Sequence, residues 1–253
     1  MQSMPSNYNL EAVAVEIRSR LAPFMIDLEK NIPEQLQAAY LTGPSARGEF
    51  NAANPEINLL LVFKNIGAKL LDHISALGRK YGKSGIRAPL LLTSEYMINA
   101  CDSFPIELLD LKSAHIAIYG DDALSALTIA DKDLRLQCER NLRSWRLNIR
   151  QAYLRSAGDA GWLNEWFMDS IIDMFPLLRA VMHLLGGNTD CGNTETASRL
   201  SSMTGIDFTP FSEAWNLRKA GQRFEKKDVF AQFDHWETAL AKLVEKIDAL
   251  EVR

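Results

Sequence analysis

The residues best suited to chemistry sit within Tyr40–Phe63, YLTGPSARGEFNAANPEINLLLVF. Glu56 and Asn58 are two apart, at the start of a stretch that is otherwise apolar, Ile57–Phe63. On a strand such residues point the same way, so a carboxylate and an amide share one face. The carboxylate there is a ligand for a hard cation; the amide oxygen is a weaker, uncharged one. Upstream lie Gly43, Ser45 and Arg47. A glycine lets backbone come close to a phosphate, neighbouring N–H groups can cradle it, and an arginine can grip it with paired hydrogen bonds. Arg47 has a second reading, as a local cap against Glu49 or Glu56.

Around this stretch, short apolar runs bounded by Gly, Asn and Pro predict buried strands at Ala38–Leu41, Ile57–Phe63, Ala88–Thr93, Phe104–Lys112 and Ala114–Tyr119. Between them, Gly67–Tyr81 and Ser94–Cys101 read as helices. Leu10, Val13, Ile17, Leu21, Phe24 and Leu28 recur at spacings of three and four, which predicts an amphipathic helix with Asn9 as its cap and Pro23 bending or splitting it. A short helix is expected near Glu34–Gln37. The GKSG of Gly82–Gly85 is a turn, because its register does not fit a phosphate-binding G-x-x-x-x-G-K-[ST] loop.

From Asp131 onward the pattern is helical throughout: a stripe from Leu134 to about Arg155, then Trp162–Leu185 with Pro176 inside, Thr194–Met203, Phe211–Ala220 and Lys227–Leu250. Trp162, Trp166, Trp215 and Trp236 are expected in the core of a bundle. The last helix has a four-three apolar seam, for packing within the chain or as a dimer helix. On the first of these helices Lys132, Arg135, Arg143, Arg146 and Arg150 share about a quarter-turn, with Glu139 among them. That face is either self-paired and solvated or a wall that binds a triphosphate, an RNA strand or an acidic partner.

The arrangement around Gly43 and Glu56 resembles the nucleotidyltransferase fold of the polymerase-beta superfamily, where a strand ends in Gly-Ser, a short helix follows, and the next strand carries Asp-x-Asp. More specifically, Glu56-Ile57-Asn58 with FPIELLDLKSAHIAIYGDDAL and LRLQCERNLRSWRLNIRQAYL resembles a bacterial group of nucleotidyltransferase-domain proteins with an acid-x-Asn motif and a helical C-terminal half. The resemblance covers about residues 38–250. It implies an α+β chain: a mixed-sheet domain at 1–130 and an all-α bundle at 131–253. It implies Mg²⁺ held weakly at Glu56, Asn58 and a third acid from a neighbouring strand, Glu107 or Asp110, with Gly43, Ser45 and Arg47 toward a nucleoside triphosphate; Arg143 and Arg146 are added as candidates by the arginine face alone. Glu107 has a structural alternative, a salt bridge to Arg47 or Arg87. Pro44 stands where the superfamily has Ser, and Asn58 where it has the second acid. A site short of one carboxylate stabilises transition-state charge poorly.

Two function classes follow. One is transfer of a nucleoside monophosphate from a Mg²⁺-bound triphosphate to an unidentified acceptor. The other is a catalytically inactive nucleotide-binding or protein-interaction module, antitoxin-like or regulatory. Asn58→Asp, which restores a carboxylate, should then raise Mg²⁺-dependent nucleotide affinity.

The whole-chain properties narrow the partners. With 253 residues, 47% hydrophobic and 24% charged, the chain has a normal globular balance. A net charge of −4 argues against bulk attraction to nucleic acid or an anionic membrane, apart from a local arginine face. The three cysteines, Cys101, Cys138 and Cys191, have no metal-ligand spacing and read as free thiols of a reducing compartment. No secretory leader and no run of about 18 apolar residues are visible, so a cytoplasmic protein is expected. His73, His115, His183 and His235 show no ligand or catalytic spacing.

Overall fold

The computed structural model describes residues 8–32, 34–50 and 55–251. It divides into two compact units, one comprising Met1–Cys101 and Leu111–Thr128, the other Asp102–Asp110 and Ile129–Arg253.

In the first unit, α1 (Val15–Asn31), β1 (Leu36–Thr42), α2 (Gly43–Ala46), β2 (Asn58–Phe63), α3 (Ala68–Tyr81), β3 (Leu90–Thr93), α4 (Ser94–Asn99), α5 (Pro105–Ser113, whose last residues alone belong here) and β4 (His115–Tyr119) follow in order. The strands form a four-stranded sheet in the order β3-β2-β1-β4. β1 runs antiparallel to β2 and β4, while β2 and β3 are parallel, so the sheet is mixed. Alternation along β2 and its lead-in sends Ile57, Leu59, Leu61 and Phe63 to one face. There they share a core with Ile17, Leu21 and Phe24 of α1 and with Ile74 and Leu77 of α3. The 3.6-residue stripes of both helices thus close one side of the sheet.

The second unit contains α6 (Asp131–Ser156), α7 (Ala160–Leu184), α8 (Asn193–Thr204), α9 (Thr209–Lys219) and α10 (Val229–Asp248). Leu142 and Ile149 of α6, Phe167 and Met174 of α7 and Trp236, Leu240 and Leu243 of α10 meet in one core. The four-three seam of α10 packs within the chain. Asp159 caps α7 by accepting hydrogen bonds from the N–H groups of Gly161 and Trp162. Together the two units make an α+β chain.

Several sequence expectations are corrected. Phe104–Lys112 is not a strand but α5. Pro105 is its first residue, where its missing N–H is no loss, and Glu107 lies in the first turn. Ile106 and Leu109, three apart, face the core of the second unit, which is a helical rather than an alternating pattern. α1 starts at Val15 after Ala14, and Asn9 is not its cap; the Asn9 N–H donates to the Ile118 carbonyl instead. The helix passes through Pro23 as one element. The segment at Glu34–Gln37 is not helical: Glu34 has φ of 64° and β1 begins at Leu36. Trp162 is 40% exposed, on the outer side of α7, and so is not core. The polar loop predicted at Glu49–Pro55 lies in part, at 51–54, outside the described residues.

Candidate active site at the end of the sheet

Three strands bring polar residues to one end of the sheet. In the antiparallel registers Thr42 lies opposite Asn58 on one side and His115 on the other. Paired residues share a face, so Asn58, Thr42 and His115 form a row on the side away from the α1/α3 core. The Thr42 hydroxyl donates to the Asn58 carbonyl at 3.3 Å. Glu56 precedes the fully buried Ile57 and is itself about one-third exposed.

Gly43 turns the chain from β1 into α2 with φ of 67°. A Cβ there would fall 2.9 Å from Asn58 Nδ2, so the position requires glycine on two counts, handedness and close approach. The buried Ser45 hydroxyl donates to the Glu56 carbonyl at 2.7 Å and ties α2 to the start of β2. Arg47 Nη2 donates to Ser113 Oγ at 2.8 Å.

The carboxylate of Glu56 is engaged by a residue that sequence reading had only weighed as a partner for Glu107: Arg87 Nη2 donates to Glu56 Oε1 at 2.6 Å. His115 is a second addition. Its Nε2 lies 2.9 Å from Asp122 Oδ1 and its Nδ1 2.9 Å from the Leu111 carbonyl, while the Tyr40 ring meets it edge-on. Burial alone would raise the Asp122 carboxyl, but hydrogen bonds from Ser125 and His115 outweigh it and hold it below the usual carboxylate range. Thr42 is the third addition, and its adjacency to Gly43 was the one sequence signal that could have revealed it.

The remaining acids belong to the second unit. On a helix, residues three apart are neighbours, so Glu107 and Asp110 lie on one flank of α5 rather than on opposite faces of a strand. Glu107 Oε2 accepts from Gln137 Nε2 at 2.9 Å. Asp110 Oδ1 accepts from the buried Arg179 Nε at 2.5 Å, and Arg179 also donates to Asn193 at 2.6 Å.

The arginine face of α6 is largely paired. Arg143 contacts Glu139 and Asp248, Arg135 donates to Glu139 and to the Ile247 carbonyl, and Arg146 and Arg150 converge on Glu237 of α10. Burial would raise the Glu237 carboxyl, but the two guanidinium donors outweigh it and hold it low. A carboxylate depressed in the folded state contributes stability above the ordinary carboxylate range and loses it as pH falls through the lowered value. Glu237→Gln should therefore cost about 1 kcal/mol at neutral pH. That difference should close in thermal melts carried into the acid range.

The donor set does not fit a divalent cation. Glu56 is neutralised by Arg87, Asn58 carries no charge, and Glu107 and Asp110 are bonded within the second unit. Among the described residues no group of three or more His, Cys, Asp or Glu side chains is placed to hold a metal. Hard cations of this class need several oxygen ligands, carboxylates among them, around one point. Among the described residues no helix is long and apolar enough to cross a membrane.

No family model matches the chain, and no curated protein matches it. Among solved structures, it is similar to a spectinomycin adenyltransferase from Enterococcus faecialis, solved with ATP and spectinomycin, at a TM-score of 0.52 and 14% identity. The match covers 88% of this chain and 98% of that one. The mixed sheet and the helical second half thus fit a nucleotidyltransferase-like fold.

Proposed function

We propose that the protein uses this fold to bind a nucleoside triphosphate without metal-dependent transfer. The observation that supports it most is how each acid is already engaged: Glu56 is paired to Arg87, and the acids of α5 hold Gln137 and Arg179, while Asn58 is neutral. Metal-assisted phosphoryl or nucleotidyl transfer depends on cations that bridge phosphate oxygens and neutralise developing charge. A site that cannot gather carboxylates keeps the shape for a nucleotide and loses that electrostatic term. Gly43, Ser45 and Arg47 remain the residues proposed to face the phosphates.

A second reading, nucleotidyl transfer to a small acceptor, is favoured by the similar adenyltransferase having been solved with ATP and spectinomycin. Calorimetric titration with ATP, GTP, CTP and UTP separates the two. Weak binding, in the range of about 0.1–1 mM and indifferent to Mg²⁺, is expected. Mg²⁺-dependent affinity together with pyrophosphate release would establish the transferase reading. Absence of binding to every nucleotide would leave a protein-interaction module, including a homodimer, in its place.

A further inference from the structure

We infer that the guanidinium of Arg87 stands in for a divalent cation beside Glu56, making this end of the sheet a metal-independent site for a phosphate-bearing ligand. The phosphate half of the inference rests on the nucleotide-binding reading above; the cation half does not.

The backbone delivers Arg87 to this place. Ile57 N–H donates to the Gly85 carbonyl at 2.9 Å and Arg87 N–H to the Ile57 carbonyl at 3.0 Å, a parallel bridge between Ile57 and Ile86. Arg87 is thereby fixed next to Glu56 and Asn58, one residue on either side of Ile57. Gly85 makes the approach possible: its φ is 87°, and a Cβ would lie 2.7 Å from the Pro55 carbonyl oxygen. The close passage of the two segments is built in, and the Glu56–Arg87 contact follows from it.

Charge then decides what the site attracts. Glu56 and Arg87 offset each other, and Asn58 and Thr42 are neutral, so Glu56 offers a Mg²⁺ or Mn²⁺ ion little of its charge. A guanidinium is permanently charged and carries five N–H donors, of which Arg87 uses one on Glu56. Its side chain is 55% exposed, so the other donors face solvent and suit the paired oxygens of a phosphate. The same exposure screens the ion pair, so its removal should leave the fold intact. Asn58→Asp by itself therefore adds a carboxylate beside a cation already present, and does not rebuild a metal site.

The test has two arms on the full chain, with thermal melts confirming that each variant is folded. Mn²⁺ binding, followed by electron paramagnetic resonance without nucleotide, compares Asn58→Asp alone with Asn58→Asp combined with Arg87→Ala or Arg87→Lys. The alanine combination should bind Mn²⁺ at least about tenfold tighter than Asn58→Asp alone, and the lysine combination should not. Equal binding by Asn58→Asp alone and the alanine combination, or no binding by that combination, overturns the inference. In the second arm, inorganic triphosphate is titrated in EDTA. Arg87→Ala should weaken its binding by about tenfold; unchanged affinity overturns the inference. If the unmodified protein binds neither triphosphate nor nucleotide, the nucleotide-binding reading and the phosphate half both fall, and the Mn²⁺ arm still decides the cation half.

Discussion

Asp110→Ala should destabilise the protein by about 3 kcal/mol, a fall of several degrees in Tm, because it leaves the buried Arg179 without its carboxylate. Arg179 is 5% exposed and holds Asp110 Oδ1 at 2.5 Å, with Asn193 as its other acceptor. Breaking a buried pair from one side costs more than the pair contributes, since the remaining charge keeps its desolvation penalty. The same substitution distinguishes roles: an acid kept for metal chemistry would lower turnover while leaving stability unchanged or improved. Asp110→Asn retains an oxygen acceptor and should fall between wild type and alanine. Denaturant midpoints for the three proteins, with thermal melts alongside, check the order. An Asp110→Ala protein as stable as wild type would mean that Arg179 does not depend on Asp110.

Trp236→Ala should cost about 3–5 kcal/mol, the range for removing a large aromatic from a core that collapses only partly. Trp236 is fully buried on α10. It stacks on Phe211 with ring centroids 4.4 Å apart and meets Phe167 edge-on at 4.8 Å, joining α10 to α9 and α7. Its indole Nε1 has no hydrogen-bond partner among the described residues. Replacement by phenylalanine forfeits no hydrogen bond and preserves an aromatic surface, but leaves a small cavity, and should cost about 1–2 kcal/mol, less than alanine. Guanidinium unfolding followed by circular dichroism at 222 nm measures both. A Trp236→Phe loss as large as that of alanine would show that the indole, and not aromatic packing, holds the three helices.

Periodicity and glycine chemistry were legible in the amino-acid sequence because they act locally. The apolar stripes of α3, α6, α7 and α10 repeat at the helical period, and a helix must bury such a stripe wherever it lies. The apolar runs that became β1 and β2, with Gly43 between them, likewise marked the turn at the sheet end. Alternation alone placed Glu56 and Asn58 on the face opposite Ile57.

Tertiary structure decided what those side chains meet. FPIELLDLK has apolar and acidic positions compatible with either period, and only burial of Ile106 and Leu109 in the second unit's core made it α5. That choice put Glu107 and Asp110 on one helical flank, bonded to Gln137 and Arg179, residues 30 and 69 positions away. The arginines of α6 announced a charged face, but their partners Glu237 and Asp248 lie on α10, 91 and 105 residues distant. Arg87 is the sharpest case. Nothing within its own segment marks it, and it reaches Glu56 only because a parallel bridge aligns Ile86 with Ile57. Local sequence sets which residues are polar, helical or left-handed; long-range pairing, where one residue of register moves a side chain to the other face, sets which charges cancel.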